Sequence, residues 1–247
     1  MFNRKKRRRS DTFEVLSANS SFAYSEAFKS LRTNLEFVSS TDNCKTIMMV
    51  SALAGEGKTT VSINLAIALA QNGKKVLLCD CDLRKPKVQR YLRIKHSSEY
   101  GVSTVLSGNT DIDSAIGFVE ELGIYVMLSG PTPPNPSELL ASNNSNKIFE
   151  ELKTRFDYII CDTPPVAIVA DTIAFSKHMD GAIMVVRQNY STKNQINESL
   201  EKLRTVDTNI LGMVLNNYDS KVDNNYKYDK YYNYRSYYAY GYKTENR

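Results

Sequence analysis

Thr46-Ile47-Met48-Met49-Val50-Ser51-Ala52-Leu53-Ala54-Gly55-Glu56-Gly57-Lys58-Thr59-Thr60 decides how the rest of this 247-residue chain is read. Ile47 to Val50 is a short apolar run of strand type. Ser51 to Gly57 is a loop of small residues, and Lys58-Thr59-Thr60 opens a helix expected to reach about Gln71. Strand, glycine-bearing loop and helix in that order are the context in which a phosphate-binding loop works. Gly55 and Gly57 let the backbone turn its N–H groups inward around a polyphosphate. The helix N-terminus adds unsatisfied donors and the positive end of its dipole. Ala54, Gly55, Glu56, Gly57, Lys58, Thr59 and Thr60 are therefore the expected nucleotide contacts. Lys58 reaches the β- and γ-phosphates, and the Thr59 hydroxyl takes one Mg²⁺ position. The pattern G-x-x-x-x-G-K-[ST] is met except at its first position, where Ala52 is small enough to keep the turn.

Working outward, the chain after this helix alternates strand and helix. Asn72-Gly73 stops the helix. Lys75 to Cys79 reads as a strand that ends in Asp80-Cys81-Asp82-Leu83-Arg84. Residues 87 to 122 are mixed and helical in part, and Ile124 to Leu128 is another strand. The loop that follows holds four of the seven prolines, with Ser137 expected to cap a short helix through Leu140. Asn146 to Arg155 reads as a helix. Tyr158 to Cys161 is a buried strand ending at Asp162-Thr163-Pro164-Pro165. Ala182 to Val186 and Ile210 to Leu215 are further strands, flanking a helix from about Lys193 to Val206. Such alternation predicts an α/β fold of P-loop NTPase type, a mostly parallel sheet with helices on both faces. In such sheets ligands bind outside the carboxyl ends of the strands. Lys58, Asp80, Asp82 and Asp162 all follow a strand end, so they are expected at one site.

On the N-terminal side, Ser25 to Phe37 reads as a helix with Ala27, Phe28, Leu31 and Leu35 on one face. Glu26, Lys29 and Arg32 recur at every third position, as a wet face or as a contact to a neighbouring subunit. Arg4 to Arg9 is a run of six cations, a solvated arm or one attracted to an anionic membrane surface. No nucleic-acid-reading element accompanies it, so no specific nucleic acid is expected. The chain divides into a basic flexible arm (1–21), a catalytic domain (22–217) and a disordered tyrosine-rich tail (218–247). That tail carries ten of the sixteen tyrosines and no Leu, Ile or Phe.

Composition fits this picture. Hydrophobic residues make up 42% and charged residues 24%, with a net charge of +5, as in ordinary soluble globular proteins. Cys44, Cys79, Cys81 and Cys161 form no C-x-x-C pair, and reduced thiols are expected. No run of 18 apolar residues is present, and the basic start lacks the apolar segment of a signal peptide.

The carboxylates divide the work. Asp162, ending an apolar strand, has the place of a Walker B aspartate that holds Mg²⁺ directly or through water. Asp80 and Asp82 lie two apart and point the same way on an extended segment. One is suited to the metal and the other to accepting a proton from the nucleophile.

Ala52 to Thr60, Leu77 to Arg84 and Ile159 to Pro165 resemble Walker A, Walker A′ and Walker B of the bacterial tyrosine kinases, nearest the CpsD/CapB type of Gram-positive capsule and exopolysaccharide operons. Glu26-x-x-Lys29-x-x-Arg32 is similar to that family's oligomerisation motif, with lysine in place of an arginine. The resemblance runs from about residue 22 to the end. It implies an ATP- and Mg²⁺-dependent kinase with Asp80 as proton acceptor, and with Thr59, Asp82 and Asp162 serving the metal. Lys58 and Arg84 would meet phosphate charge. Asn216, just past the last strand, is the expected contact to the base. The resemblance further implies phosphorylation in trans of Tyr226, Tyr228, Tyr231, Tyr232, Tyr234, Tyr237, Tyr238, Tyr240 and Tyr242. Implied partners are a homo-oligomeric ring, a phosphotyrosine phosphatase and a membrane-spanning polysaccharide chain-length regulator of the CpsC/CapA type, holding the kinase at the inner face of the membrane.

Two rivals are weighed against this. A ParA/MinD-like positioning ATPase typically carries a further lysine early in the loop, and Ser51, Ala52 and Leu53 supply none. A non-enzymatic adaptor has no need of the full set Lys58, Thr59, Asp80, Asp82 and Asp162.

Overall fold

A computed structural model describes residues 13–42, 44–94 and 99–219. The chain forms two compact units that divide after Asn216, and of the second, from Asn217 onward, residues 217–219 are described. The basic run and the nine tail tyrosines named above lie outside the described residues.

In chain order the elements are α1 (Phe22–Asp42), β1 (Thr46–Val50), α2 (Lys58–Ala70), β2 (Val76–Asp80), α3 (Val88–Tyr91), α4 (Val102–Leu106), α5 (Ile112–Ala115) and β3 (Ile116–Val119). They continue with β4 (Ile124–Met127), α6 (Pro136–Leu140), α7 (Asn143–Arg155), β5 (Tyr158–Asp162), α8 (Asp171–Ser176), β6 (Gly181–Arg187), α9 (Lys193–Arg204) and β7 (Ile210–Asn216). The seven strands form one sheet in the order β3-β4-β2-β5-β1-β6-β7, parallel throughout except for β3 on β4.

Every residue of β1, β2 and β5 is buried, which is why these strands read as unbroken apolar runs rather than as alternation. Alternate side chains fill two cores. Met48, Leu77, Cys79, Ile159 and Cys161 pack on one face with Phe149, Leu152 and Phe175 of α7 and α8. Ile47, Met49, Leu78 and Ile160 pack on the other with Leu65, Ile67 and Leu69 of α2 and with Phe28 and Leu35 of α1. All four cysteines are buried free thiols.

Several expectations need correction. α1 starts earlier and ends later than the periodicity suggested, and Ala27 is exposed rather than on its buried face. Ser137 does not cap α6: Asn135 holds that position without a side-chain bond, and Ser137 lies inside the helix with its hydroxyl on Asp171. The stretch 87–122 includes the antiparallel edge strand β3, four half-exposed or exposed residues whose apolar side chains are interrupted by Gly117. α8 was not expected at all. Ser142 caps α7 by accepting the Ser145 N–H, so that helix begins three residues early. None of these alters the central strands, and the site depends on those.

Candidate functional site: a phosphate loop ringed by carboxylates

Parallel pairing of β2, β5 and β1 brings their carboxyl ends level. Asp80 stands opposite Asp162 in the register of β2 and β5, and Met49 stands opposite Asp162 in that of β1 and β5. The loop leaving β1 then runs to α2 through Gly55 at φ 90° and Gly57 at φ 93°, left-handed conformations that strain any residue with a Cβ. Gly57 is also a close approach: a Cβ there would stand 1.9 Å from Nδ2 of Asn216.

The expected residues converge. Lys58 is buried and its Nζ donates to the Ser51 hydroxyl at 3.0 Å. Thr59 donates to Asp162 at 2.6 Å, and Ser62 lies 3.3 Å from the other oxygen of that carboxylate. Burial holds the Lys58 ammonium below its ordinary value, opposed by the negative charges of Asp162 and Asp82. Burial likewise raises Asp162, against the pull of Lys58 and the Thr59 hydroxyl. Asp80 is fully buried and pushed up to about 8, first by burial and then by Asp162, although the N–H groups of Val88 and Lys87 work the other way.

The strand ends at Asp80, and Asp80 and Asp82 make different contacts. One Asp80 oxygen accepts the Lys87 and Val88 N–H groups at 3.0 and 2.9 Å, and the other accepts that of Asp82 at 3.3 Å. Asp80 therefore staples the turn from 82 to 88. Asp82 is only half-buried; one of its oxygens accepts the Lys85 N–H, and its charge acts on Lys58 and Asp162.

Arg84 is not turned toward the phosphate loop. Its guanidinium makes a two-pronged pair with the buried Asp171, Nε at 2.7 Å and Nη2 at 3.0 Å, and Ser137 donates to the same carboxylate. This ties the Walker A′ turn to α6 and α8. Asn216 does reach the loop: its Nδ2 donates to the Glu56 carbonyl at 2.8 Å. Glu26 and Lys29 pair with each other on the open face of α1 at 2.8 Å. Arg32 is half-buried instead, leaning on the Ala68 carbonyl at 3.4 Å and on Glu36, so the three charges do not form one outward stripe.

Sequence reasoning missed the braces on the loop. Glu56 is fully buried, accepting the Leu53 N–H at 3.0 Å and the Ser191 hydroxyl. The turn after β6 lies against the loop: Tyr190 donates to the Ala54 carbonyl at 2.8 Å and Arg187 to that of Gly55 at 3.2 Å. From the Walker B side, the N–H groups of Val166 and Ala167 donate to the carbonyls of Ser51 and Ala52. Position past a strand end marks Arg187; no sequence signal marks Tyr190, Ser191 or Asp171.

Backbone donors at a helix N-terminus, a lysine, a threonine hydroxyl and acidic oxygens form a donor set suited to a nucleoside polyphosphate with a hard divalent cation. Among the described residues no group of three or more His, Cys, Asp or Glu forms a protein-only metal cage. A cation here would complete its oxygen shell from phosphate and water. No described helix is long and apolar enough to cross a membrane.

Comparison with known proteins places the chain in a family. Residues 44–219 match the family model described as an AAA domain. Tyrosine-protein kinase YwqD of Bacillus subtilis (strain 168) is 37% identical over 204 residues, covering 83% of this chain and 85% of that protein. The kinase domain of Escherichia coli tyrosine kinase ETK superposes with a TM-score of 0.75 at 32% identity, covering 78% of this chain and 74% of that one. The septum site-determining protein MinD from Pyrococcus horikoshii OT3, complexed with Mg-ADP, gives 0.59 at 25% identity over 69% of each chain. Identity and TM-score are both higher for the ETK kinase domain than for MinD, and the MinD complex holds Mg-ADP on the same fold. Carrying Walker A, A′ and B residues on this sheet, the chain belongs to the bacterial tyrosine-protein kinases, P-loop enzymes of the AAA type.

Proposed function

We propose that this enzyme transfers the γ-phosphoryl group of ATP, with Mg²⁺, to tyrosines of its own C-terminal segment in another copy, and thereby regulates capsular or exopolysaccharide synthesis and export. The observation that carries the reading is the meeting of Lys58, Thr59, Asp82 and Asp162 at the ends of β1, β2 and β5. Mg²⁺, when bound, neutralises phosphate charge; Thr59, Asp82 and Asp162 are the groups that would hold it. Ala54 to Thr60 bind the phosphates, with Lys58 on the transferred group, and Asn216 lies where it can meet the base. Asp80 or its neighbour Asp82 takes the phenolic proton, and Arg84 reaches phosphate only by leaving Asp171.

The tail suits an acid-lined site: from Tyr218 onward it carries six cations against four carboxylates. Each phosphate adds about −1.5 to −2, so two reverse its sign and favour release. Glu26, Lys29 and Arg32 support assembly into a ring when the tail is unmodified. A membrane-spanning chain-length regulator activates the kinase and holds it at the membrane, and a phosphatase resets the tail. To test this, a full-length Lys58→Met chain is mixed with an active chain lacking residues 218–247, with Mg-ATP and the regulator's cytoplasmic segment. Phosphotyrosine on the Lys58→Met chain is expected. A bare tail there overturns transfer in trans, and a solution mass unchanged by phosphatase overturns the link to assembly.

A further inference from the structure

Tyr190 differs from the other tyrosines of the folded body. It is 47% exposed, yet its hydroxyl rests on the phosphate loop, donating to the Ala54 carbonyl at 2.8 Å. Asn189, at φ 56°, makes the turn that aims it there, and Arg187 lies 5.5 Å from its ring. A Cβ on Gly55 would stand 2.8 Å from the Tyr190 oxygen, so hydroxyl and loop are in close contact. The local sequence repeats that of the tail. Asn189-Tyr190 recurs as Asn225-Tyr226 and Asn233-Tyr234, and Arg187 and Lys193 flank Tyr190 as lysines and arginines flank the tail tyrosines. A site lined by Asp80, Asp82 and Asp162 that accepts the tail has the same electrostatic reason to accept this exposed turn.

We propose that Tyr190 is a phosphoacceptor in the folded body of this kinase, modified by a second copy, and that its phosphate shuts the phosphate loop to nucleotide. The proposal rests on the tyrosine-kinase reading above. In the step, Tyr190 Oη of one copy bonds to the γ-phosphorus of ATP held by another. The bond from that phosphorus to the β,γ-bridging oxygen breaks, the phenolic proton passes to an aspartate of the acting site, and ADP leaves. The product cannot donate to the Ala54 carbonyl. It sets a charge of about −1.5 to −2 against that carbonyl and beside the loop that receives the triphosphate. The Tyr190 brace is lost and the nucleotide meets a like charge. Accumulated product therefore turns the kinase down at its own loop, separately from any effect of the tail.

The experiment uses full-length chains. Isotopically heavy Lys58→Met chain is incubated with light wild-type chain, Mg-ATP and the activating segment, then digested with trypsin and mapped by mass spectrometry. Phosphate is expected on the heavy peptide Gln188–Lys193 as well as on tail peptides. A labelled tail with a bare Gln188–Lys193 overturns this proposal alone, and no label anywhere overturns the kinase reading and this one with it. In the second arm, Mg-ADP affinity is measured before and after ATP incubation for wild type and for Tyr190→Phe. Wild type is expected to lose at least about tenfold, about 1.4 kcal/mol, and to regain it with phosphatase, while Tyr190→Phe with an equally phosphorylated tail holds its starting value. Equal losses in the two chains overturn the inhibitory role.

Discussion

Gly57→Ala tests whether the backbone conformation of the phosphate loop is what binds nucleotide. At φ 93° the new Cβ enters the left-handed region, which costs about 1–2 kcal/mol for a residue with a side chain. It also lands 1.9 Å from Nδ2 of Asn216, so the amide must leave. Its hydrogen bond to the Glu56 carbonyl goes with it, a net loss of about 0.5–1.5 kcal/mol. A total near 2–3 kcal/mol acting on the loop's binding conformation weakens Mg-ADP about 30- to 150-fold. Calorimetric titration reads the affinity. A thermal melt reads the fold, and for a domain of this size should fall by about 2–4 °C per kcal/mol. Gly73→Ala is the control: its φ is +77° but open space surrounds it, so it carries the strain and touches nothing. That variant should melt lower with Mg-ADP affinity unchanged. In Gly57→Ala/Asn216→Ala the overlap is gone and the strain remains, so the pair should melt above Gly57→Ala alone. If Gly57→Ala binds Mg-ADP within about threefold of wild type, less than 1 kcal/mol, the reasoning from loop geometry to phosphate binding fails.

Asp162→Asn replaces the acceptor of Thr59 by a weaker one and removes the charge beside the cation position, so Mg-ADP affinity should fall about tenfold or more. ADP affinity measured with a chelator should barely move, and an equal loss in both titrations refutes the metal assignment. The melting temperature of Asp80→Asn minus that of wild type should be more positive at pH 8 than at pH 5, whatever the lost backbone contacts cost at both. The folded pKa of about 8 lies above the ordinary 3.8, so this group's contribution to folding is complete below the ordinary value and lost as pH rises toward 8. A signed difference that falls from pH 5 to pH 8 contradicts this. Asp180→Asn has the opposite sign. The N–H groups of Thr46 and Lys45 and the Lys153 ammonium hold that carboxylate below its ordinary value against its own partial burial. Its stabilisation is present above the ordinary carboxylate range and lost as pH falls. The variant should melt below wild type at pH 7 and converge with it in acid, and a constant gap counts against the pairing.

The central sheet was legible because its signals are chemical and local. β1, β2 and β5 are apolar runs buried on both faces, and β2 and β5 each close on an aspartate that no core tolerates unpaired. The topology rule that sites lie past strand ends then gathered Lys58, Asp80, Asp82 and Asp162 before any coordinates. The same rule points to Asn216, which reaches the Glu56 carbonyl. What escaped is held by contacts without a pattern. The edge strand β3 is only four residues, with Gly117 breaking its apolar run, and α8 is six residues with no periodicity to read. Asp171 looks like any helix-starting aspartate until Arg84 and Ser137 are seen on it. Tyr190 and Ser191 sit some 130 residues from the loop they brace. Arg32 was assigned outward from spacing alone, whereas the packing of α1 on α2 draws its guanidinium to the Ala68 carbonyl.

The two aspartates of Walker A′ show where alternation stops being a guide. Two residues apart on a strand share a face, but β2 ends at Asp80, and beyond it the chain turns to let Lys87 and Val88 point their N–H groups back. Three backbone donors on one carboxylate make Asp80 first of all a structural staple, and burial opposite Asp162 makes it a carboxyl that holds its proton near neutrality. A general base needs a pKa near the working pH and reach to the proton it takes. Asp80 meets the first condition; full burial opposes the second. Asp82 has the reverse standing, half-exposed, held by the single Lys85 N–H, and with its charge acting on Lys58 and Asp162. Under the proposed function the pair divides the work between Asp80, which fixes the turn and carries a proton, and Asp82, whose charge acts on Lys58. On the proposed function, changing either one is expected to slow the reaction for a different reason: loss of Asp80 removes three backbone contacts from the 82–88 turn, whereas loss of Asp82 removes one, to Lys85, together with a charge that acts on Lys58.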